Sequence, residues 1–432
     1  MKSRVQLSMV AFALVSLIAT SLPGAAGKLP AIIGINIAAA AEKTAPLVIA
    51  HVAPTTGRFA LHAEADRRGA EMAIDEFNAR GGVLGREIVL FSRDPSLDAK
   101  QSARVAEELI TQTKVGFMIG AISSGVAASM SAVCQKHGVL FINTNSSAPS
   151  ESVEDAHRTK FVFDAHGANF YRALIKYALA NKKSKRVLLL TEDNAWGRGN
   201  AEATRRYITE SGGAVVGEVL APEALPDPLD VLKRVAAIPA DVVVTSISGD
   251  NQIKLFAQID PQILERQSWI VGEVDWEELY PAPGTPRPLF GTTWAWNLRT
   301  PGTAEFVARY RKRYGHTKLN YPGDVTHAAY LATKALLTAI ERAGTTENSA
   351  LIQQLENYRR TASEGMQNND AYMDPVSHHV QQTVYIARWN PHATRPELGI
   401  EILGQVPPEQ VRFEREKTTQ LESPADTPRY TP

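Results

Sequence analysis

The sequence predicts an α/β protein made of two doubly wound domains, each built on a parallel sheet. Its 432 residues exceed what one hydrophobic core usually supports. Short apolar runs alternate with helical patterns along most of the chain, an order that is typical of parallel sheets. The alternation falls into two runs, one ending near Asp164 and the next beginning near Asn169, with a later return to the first domain.

The predicted strands are short and mostly apolar. They lie near residues 47–53, 87–92, 115–119, 138–142, 186–191, 214–220, 241–247 and 268–272. After the first of them, Ala70, Ala73, Ile74 and Phe77 occupy one face of a helix. The glycine pair at 81–82 is expected to end this helix, because glycine tolerates a positive φ. A later helix at 323–342 is assigned to the part of the chain that returns to the first domain.

The first 41 residues are predicted to be a signal peptide. Lys2 and Arg4 precede an apolar run at 5–22 that is too short to favour a permanent anchor. Cleavage is expected before Glu42, after the alanine triplet at 39–41. A second candidate site lies at 25–27, and a retained membrane helix is the alternative.

The one cysteine, Cys134, lies on an apolar helix pattern and is assigned to the core. A single cysteine allows no disulfide within the chain. Because no cysteine follows the leader, a lipid anchor is not expected, which favours a soluble periplasmic protein.

Two loops rich in hydroxyl groups are predicted to follow neighbouring strands of the first domain. Residues 120–125 read GAISSG and residues 143–149 read NTNSSAP. In doubly wound sheets, ligands bind outside the carboxyl ends of the strands. Free N–H groups at a helix amino terminus favour an anion. The two loops together therefore predict a carboxylate site.

With residues 193–199 (DNAWGRG), these motifs occur in an order that resembles the type I periplasmic solute-binding proteins of the leucine/isoleucine/valine-binding family, which feed ABC importers. The resemblance runs from about Leu47 to about Trp389. It implies a periplasmic binding protein type I fold with a three-strand hinge, crossing near 163–168, 291–296 and about 369–380. The implied division is a signal peptide at 1–41, a first domain at 42–165 and 294–372, a second domain at 166–293 and 373–394, and a tail at 395–432, partly disordered.

The resemblance also implies roles for individual residues. Ser124, Ser146 and Ser147 would hold the α-carboxylate of a ligand and help to hold its ammonium group, although such serines can also be helix caps. Trp196 would close over the ligand from a loop of the second domain, with a structural tryptophan as the alternative. His62 would touch the ligand side chain, or else be an ordinary exposed histidine.

Selectivity is less well defined by the sequence. The resembled family places an acid near the end of the strand at 268–272, and here either Glu273 or Asp275 could pair with a ligand ammonium. The family also offers an aromatic residue after the strand at 241–247, where this chain has none. An α-amino acid or related amide is the expected ligand, and aromatic or other organic acids are the alternative.

Other classes of function find little support in the sequence. Charges balance at 46 basic and 46 acidic residues, and no basic stripe indicates nucleic acid. His378 and His379 would point to opposite sides of a strand, so they are predicted to be surface histidines, not metal ligands. No motif for acyl transfer or nucleotide hydrolysis occurs. We therefore expect a monomeric receptor that closes on its solute and has no cofactor and no enzyme activity. Its expected partner is a membrane ABC permease, and the alternative is a signalling partner.

Overall fold

The computed structural model describes residues 45–165, 167–180, 182–183, 185–260, 262–263, 267–273, 288–390, 393–395 and 398–412. The strands within them are β1 Leu47–Val52, β2 Ile88–Arg93, β3 Phe117–Gly120, β4 Leu140–Asn143, β5 Lys160–Val162, β6 Arg186–Glu192, β7 Ala214–Ala221, β8 Val242–Ser246, β9 Ser268–Glu273, β10 Leu289–Thr292, β11 Arg359–Arg360, β12 Ala371–Asp374, β13 His379–Gln381, β14 Val384–Trp389 and β15 Ile400–Val406. Each of the eight predicted strands is present, displaced by two residues or fewer at its start.

The helices of the described residues flank these strands. They are α1 Ala60–Asn78, α2 Ala99–Thr111, α3 Ser124–His137, α4 Gly167–Leu179, α5 Ala195–Glu210, α6 Pro228–Ala236, α7 Asp250–Gln258, α8 Thr303–Tyr314, α9 Asp324–Ala343, α10 Asn348–Glu356 and α11 Pro408–Val411. None of the described helices is long and apolar enough to cross a membrane.

The strands form two mixed sheets in which parallel pairs dominate. The first has the order β11-β12-β13-β5-β4-β3-β1-β2 and the second β15-β14-β10-β9-β8-β6-β7. Antiparallel pairs occur at one end of each sheet, between β11, β12 and β13 and between β15, β14 and β10. Strands β3 and β4 are fully buried because helices cover both faces of the sheet. The carboxyl ends of the parallel strands are thereby held by a packed core.

Helix α1 and the turn after it have the structure that their pattern predicts. Ala70, Ala73, Ile74 and Phe77 are buried on one face. Gly82 has φ 78°, and a Cβ there would lie 1.8 Å from Arg86 O, so only glycine fits this turn. Cys134 is buried in the core of the first domain, as predicted.

The chain passes between the two sheets at three places in the described residues. These are the links from β5 to α4, from β10 to α8 and from β13 to β14. The third differs from the predicted crossing at about 369–380, because β12 and β13 both belong to the first sheet and the chain crosses only at Gln382 and Thr383. Residues 373–381, assigned to the second domain, are therefore part of the first. The short, polar strand β13 has no apolar alternation to reveal it, and it is held by parallel pairing of His379 with Val162.

The predicted tail at 395–432 also begins differently. Residues Ile400–Val406 form an edge strand that pairs antiparallel with β14, and α11 follows. Charged and polar residues interrupt the apolar pattern of this strand, so backbone pairing with β14 defines it. Residues 413–432, which include the stretch predicted to be disordered, lie outside the described residues, as does the predicted signal peptide.

Candidate functional site

A cavity of about 280 Å³ lies between the two domains, at the carboxyl ends of their parallel strands. Residues of both domains line it. They are Arg58, Phe59, His62, Leu97, Ala99, Ile122, Ser123, Ser124, Gly125, Asn145, Ser147, Asn194, Ala195, Trp196, Glu223, Ser248 and Val325. The wall is apolar over much of its area, with hydroxyl groups concentrated on the side of the first domain.

The loop between β3 and α3 brings Ser124 to this cavity. Gly120 has φ 119°, and a Cβ there would lie 2.6 Å from Val52 O. Ala121 also has a positive φ, 71°, and such strain in a non-glycine residue is often found at binding sites. Ser123 is the N-cap of α3 but makes no capping bond with its side chain. Ser124 begins the helix, so its hydroxyl is not the helix cap considered above.

The loop after β4 brings Ser147 to the cavity and turns Ser146 away from it. The Asn143 side chain holds this loop, because Nδ2 donates to Ser146 O at 2.9 Å and Oδ1 accepts from Ser146 N at 2.9 Å. Ser146 Oγ lies 2.7 Å from Glu151 Oε1 and 3.0 Å from Ser124 Oγ, and it is not part of the lining. Ser146, predicted to contact the ligand, thus lies behind Ser124.

Behind Ser146 is a buried ion pair that the sequence analysis did not find. Glu151 and Lys160 have side chains that are 0% and 1% exposed, and the Lys160 ammonium contacts the Glu151 carboxylate directly. Burial raises the pKa of the Glu151 carboxyl, and the nearby ammonium opposes this rise. No local pattern marks the pair, since Lys160 lies on a strand of three residues and Glu151 on a short 3₁₀ turn.

The second domain contributes Trp196, which lies in the first turn of α5 and not in a loop as predicted. Asn194 caps this helix, because its Oδ1 accepts from Gly197 N at 2.8 Å. Trp196 Nε1 donates to Ser147 Oγ at 2.9 Å across the cleft. The tryptophan therefore connects the two domains directly at the edge of the cavity.

A second connection across the cleft is made by Arg58, which the sequence analysis also missed. Its guanidinium lies over the Phe59 ring at 4.5 Å, and Nη1 donates to Glu192 Oε1 at 2.8 Å. Glu192 is fully buried at the end of β6. Its carboxylate also accepts from Asn194, Ser248 and Asn251 at 2.9, 2.9 and 2.6 Å. The signal available in the sequence was Glu192, a charged residue at the end of a core strand.

The remaining predicted site residues have different outcomes. His62 is not an exposed histidine, because it is buried in the first turn of α1, lines the cavity and packs edge-on against Phe59 with ring centroids 5.7 Å apart. Glu273 ends β9, and its side chain lies outside the described residues, as does Asp275. Among the described residues that line the cavity, the acid is Glu223, whose Oε1 accepts from Arg58 at 3.3 Å.

The prediction of surface histidines at 378 and 379 is wrong. Both side chains are 1% exposed, because the β12–β13 hairpin packs against β5 and the first crossing. His378 stacks on Phe161 at 4.1 Å and bonds to Lys160 O, whereas His379 Nε2 bonds to Asp164 O at 2.8 Å. The described residues contain no cluster of three side chains suited to a metal ion.

Comparison with known proteins identifies the family to which this architecture belongs. A family model described as periplasmic binding protein matches residues 46–395, most of the chain. The chain belongs to this family. More closely, it is a type I periplasmic binding protein of the Leu/Ile/Val-binding group, as the motifs indicated.

Two curated relatives illustrate the degree of similarity of this periplasmic binding protein. The Leu/Ile/Val-binding protein BraC3 of Rhizobium johnstonii is 31% identical over 41% of this chain and 48% of its own length. The chain thus matches about half the length of that relative. The Leu/Ile/Val-binding protein homolog 3 of Brucella melitensis is 26% identical over 73% of this chain and 84% of its own length.

Solved structures share the fold. A periplasmic binding protein from Burkholderia mallei has a TM-score of 0.77 at 18% identity, covering 87% of this chain and 98% of its own. A solute-binding protein of an ABC transporter from Rhodopseudomonas palustris, in complex with 3,4-dihydroxybenzoic acid, has a TM-score of 0.73 at 18% identity, covering 84% and 98%. The leucine-binding protein LivK of Thermotoga maritima has a TM-score of 0.72 at 19% identity, covering 84% and 99%. The predicted fold class is thereby confirmed.

Proposed function

We propose that this periplasmic binding protein captures a small carboxylate-bearing solute, an amino acid or related amide, in the interdomain cavity and presents its closed form to an ABC permease. One observation carries the proposal. Ser124, the amino terminus of α3 and Ser147 lie together at the carboxyl ends of adjacent strands and face Trp196 of the other domain. Hydroxyl and N–H groups on one wall, with an aromatic ring on the other, suit a ligand that is polar at one end and apolar at the other.

Closure would follow from contacts that exist only when the domains meet. Trp196 with Ser147, and Arg58 with Glu192, are such contacts. A ligand shifts a conformational equilibrium only by binding one state better than the other. A solute held by the first domain gains Trp196 as a neighbour only in the closed state, which gives the ligand its differential affinity.

An aromatic acid is the second candidate ligand. The rings of Phe59, His62 and Trp196 all line the cavity, so a flat aromatic solute would meet aromatic surface on several sides. The Rhodopseudomonas palustris protein with the same fold was solved with 3,4-dihydroxybenzoic acid, and another with benzoate. An aromatic acid would need no partner for an ammonium group.

The test is a thermal-shift screen with L-leucine, L-valine, L-asparagine, urea, benzoate and 4-hydroxybenzoate, followed by calorimetric titration of each compound that stabilises the protein. A ligand present at a thousandfold excess over its Kd should stabilise the folded state by about 4 kcal/mol. Binding of aliphatic amino acids supports the first candidate, and binding of benzoates supports the second. The proposal fails if none of the carboxylate-bearing compounds binds.

Replacing Ser124 with Ala should lower the affinity for the ligand found in this screen about tenfold. The change removes one hydroxyl that contacts a charged ligand group, a loss of about 1.5 kcal/mol. The melting temperature should also fall, because Ser124 Oγ accepts from the buried donors Ser146 Oγ and Ala148 N, so the titration is run well below the transition. Ser131→Ala is the control, since Ser131 is a buried hydroxyl on the same helix outside the lining. Equal affinity of Ser124→Ala and the unchanged protein would contradict a binding role.

The leader should be removed on export to the periplasm. We expect the mature protein in the periplasmic fraction to begin near Glu42, because the apolar run at 5–22 is short and the alanine triplet at 39–41 suits a signal peptidase. Amino-terminal sequencing of the exported protein measures this. An intact leader recovered with the membrane fraction would show that the segment is an anchor.

A further inference from the structure

A second pocket, of about 110 Å³, lies on the first domain between α9, α10 and β11. Its wall on α9 is the helix face that runs from Leu331 to Arg342. Val325, which lines the interdomain cavity, lies nearer the start of the same helix. A helix rises 1.5 Å per residue, so this face extends from about 9 Å to about 25 Å beyond Val325. The two pockets are therefore separate sites.

The lining of the second pocket is strongly basic. Lys334 and Arg342 reach it from α9, and Arg359 and Arg360 reach it from β11. Among the described residues, four basic side chains and one acidic side chain, that of Glu364, line this pocket. Like charges gathered around one concave surface raise the local concentration of ions of the opposite sign. The pocket is therefore suited to an anion.

Glu364 offsets only part of this positive charge. Its Oε2 accepts from Thr361 N at 2.8 Å and from Thr361 Oγ1 at 2.9 Å, so the carboxylate is held by its own turn. These bonds lower the pKa of the Glu364 carboxyl, and the charges of Lys334 and Arg342 lower it further. The Glu364 side chain is also exposed, so water screens its charge from the cations of the lining.

Arg360 is the buried cation of this pocket. It is 5% exposed, and its Nη2 donates to Gln367 Oε1 at 2.7 Å and to Gln382 Oε1 at 2.8 Å. The Tyr358 hydroxyl, a further neighbour, is neutral like these amides, because burial raises its pKa. Within the described part of the chain, Arg360 Nε has no hydrogen-bond partner and no acid forms an ion pair with the guanidinium. Buried charges are normally paired, so an anion in the pocket would supply the missing charge.

The position of Arg360 is fixed by the links between the two domains. Gln367 Nε2 donates to Thr293 O at 2.6 Å, and Gln382 Nε2 donates to Phe163 O at 2.9 Å. Phe163, Thr293 and Gln382 lie on the three crossings between the sheets. A cation that is already held in place loses little conformational freedom when it binds, which favours affinity.

We propose that this pocket is a second binding site, which takes a phosphate group through Arg360 and Arg342. Guanidinium groups match the geometry of phosphate oxygens and keep their charge at any physiological pH. A phosphate has about two negative charges near neutral pH, so it balances more of the lining than one carboxylate does. Lys334 contributes less, because its Nζ also lies 3.7 Å from Glu76. Inorganic phosphate and the headgroup of an anionic lipid share this chemistry.

Calorimetric titration of the exported protein with inorganic phosphate, in a phosphate-free buffer of low ionic strength, tests the site. We expect saturable binding that is about tenfold weaker in Arg342→Gln, because one charge-assisted contact is lost. Arg360→Met should abolish binding. Arg104→Gln is the matched control, since Arg104 is also an exposed arginine on a helix but lies outside the pocket. Its affinity for phosphate should equal that of the unchanged protein.

A second arm identifies the source of the phosphate group. Vesicles of phosphatidylglycerol are sedimented with the protein, and vesicles of phosphatidylcholine are the control. Binding of free phosphate identifies a soluble anion. Sedimentation with phosphatidylglycerol alone, lost in Arg342→Gln and without binding of free phosphate, identifies a lipid headgroup.

The proposal is overturned if the unchanged protein binds neither free phosphate nor phosphatidylglycerol. Equal binding by Arg342→Gln and the unchanged protein would also overturn it, and this variant decides even if Arg360→Met does not fold, because the Arg342 side chain is exposed. Ser124→Ala should bind phosphate as well as the unchanged protein does. A loss in Ser124→Ala without a loss in Arg342→Gln would place the phosphate in the interdomain cavity instead.

Discussion

Lys160→Met is expected to lower the free energy of unfolding by about 3–5 kcal/mol, because it leaves the Glu151 carboxylate buried without its cation. The ammonium and the carboxylate are almost completely removed from water, so solvent cannot replace the lost partner. Unfolding in urea, followed by circular dichroism, measures the effect. A loss below about 1 kcal/mol would contradict the importance of this pair for folding.

The same variant should show a defined dependence on pH. Without Lys160, burial raises the pKa of the Glu151 carboxyl in the folded state above its ordinary value of about 4.3. A group with a raised folded-state pKa contributes most stability below its unfolded pKa and loses it as the pH rises through the folded pKa. The deficit of Lys160→Met should therefore be small near pH 4 and grow towards pH 8. The double variant Glu151→Leu/Lys160→Met is the control, since removing both charges should recover most of the loss.

Arg58→Met should weaken ligand binding by about 30- to 150-fold, equivalent to about 2–3 kcal/mol. The change removes an ion pair across the cleft and leaves Glu192, which is 0% exposed, without its cation in the closed state. The expected loss of affinity is moderate because Arg58 is 16% exposed and Glu192 keeps three other donors. Calorimetric titration measures the affinity, and scattering at saturating ligand should give a larger radius of gyration than for the unchanged protein.

Arg80→Met is the matched control for this variant. Arg80 also lies over a phenylalanine, at 4.0 Å from the centre of the Phe77 ring, and also forms an ion pair, with Glu341 at 2.9 Å. Both of its partners belong to helices of the first domain. Its removal should therefore leave affinity and closure unchanged. If Arg58→Met and Arg80→Met bound ligand equally well, the contact with Glu192 would have no part in closure.

Much of the fold could be predicted because local patterns encode it. The buried face of α1 and the glycine turn after it depend on residues within one helix and one turn. Strands β3 and β4 are buried along their whole length and apolar up to Asn143, since both faces of the sheet are covered. The hairpin of β12 and β13 and the edge strand β15 were not predicted, because pairing with distant strands defines them.

The sequence by itself determined which loops face the cleft. Ser124, Ser147 and Trp196 each follow a core strand in a motif of known order, and the structure brings all three to one cavity. The tertiary structure alone decided their orientation and their partners. Arg58 and Glu192 are 134 residues apart. Asn143 holds Ser146 so that its hydroxyl meets Glu151, which pairs with Lys160 on another strand. A charged residue at the end of a core strand can be seen in the sequence, but its partner cannot, because the partner of a buried charge comes from a distant part of the folded chain.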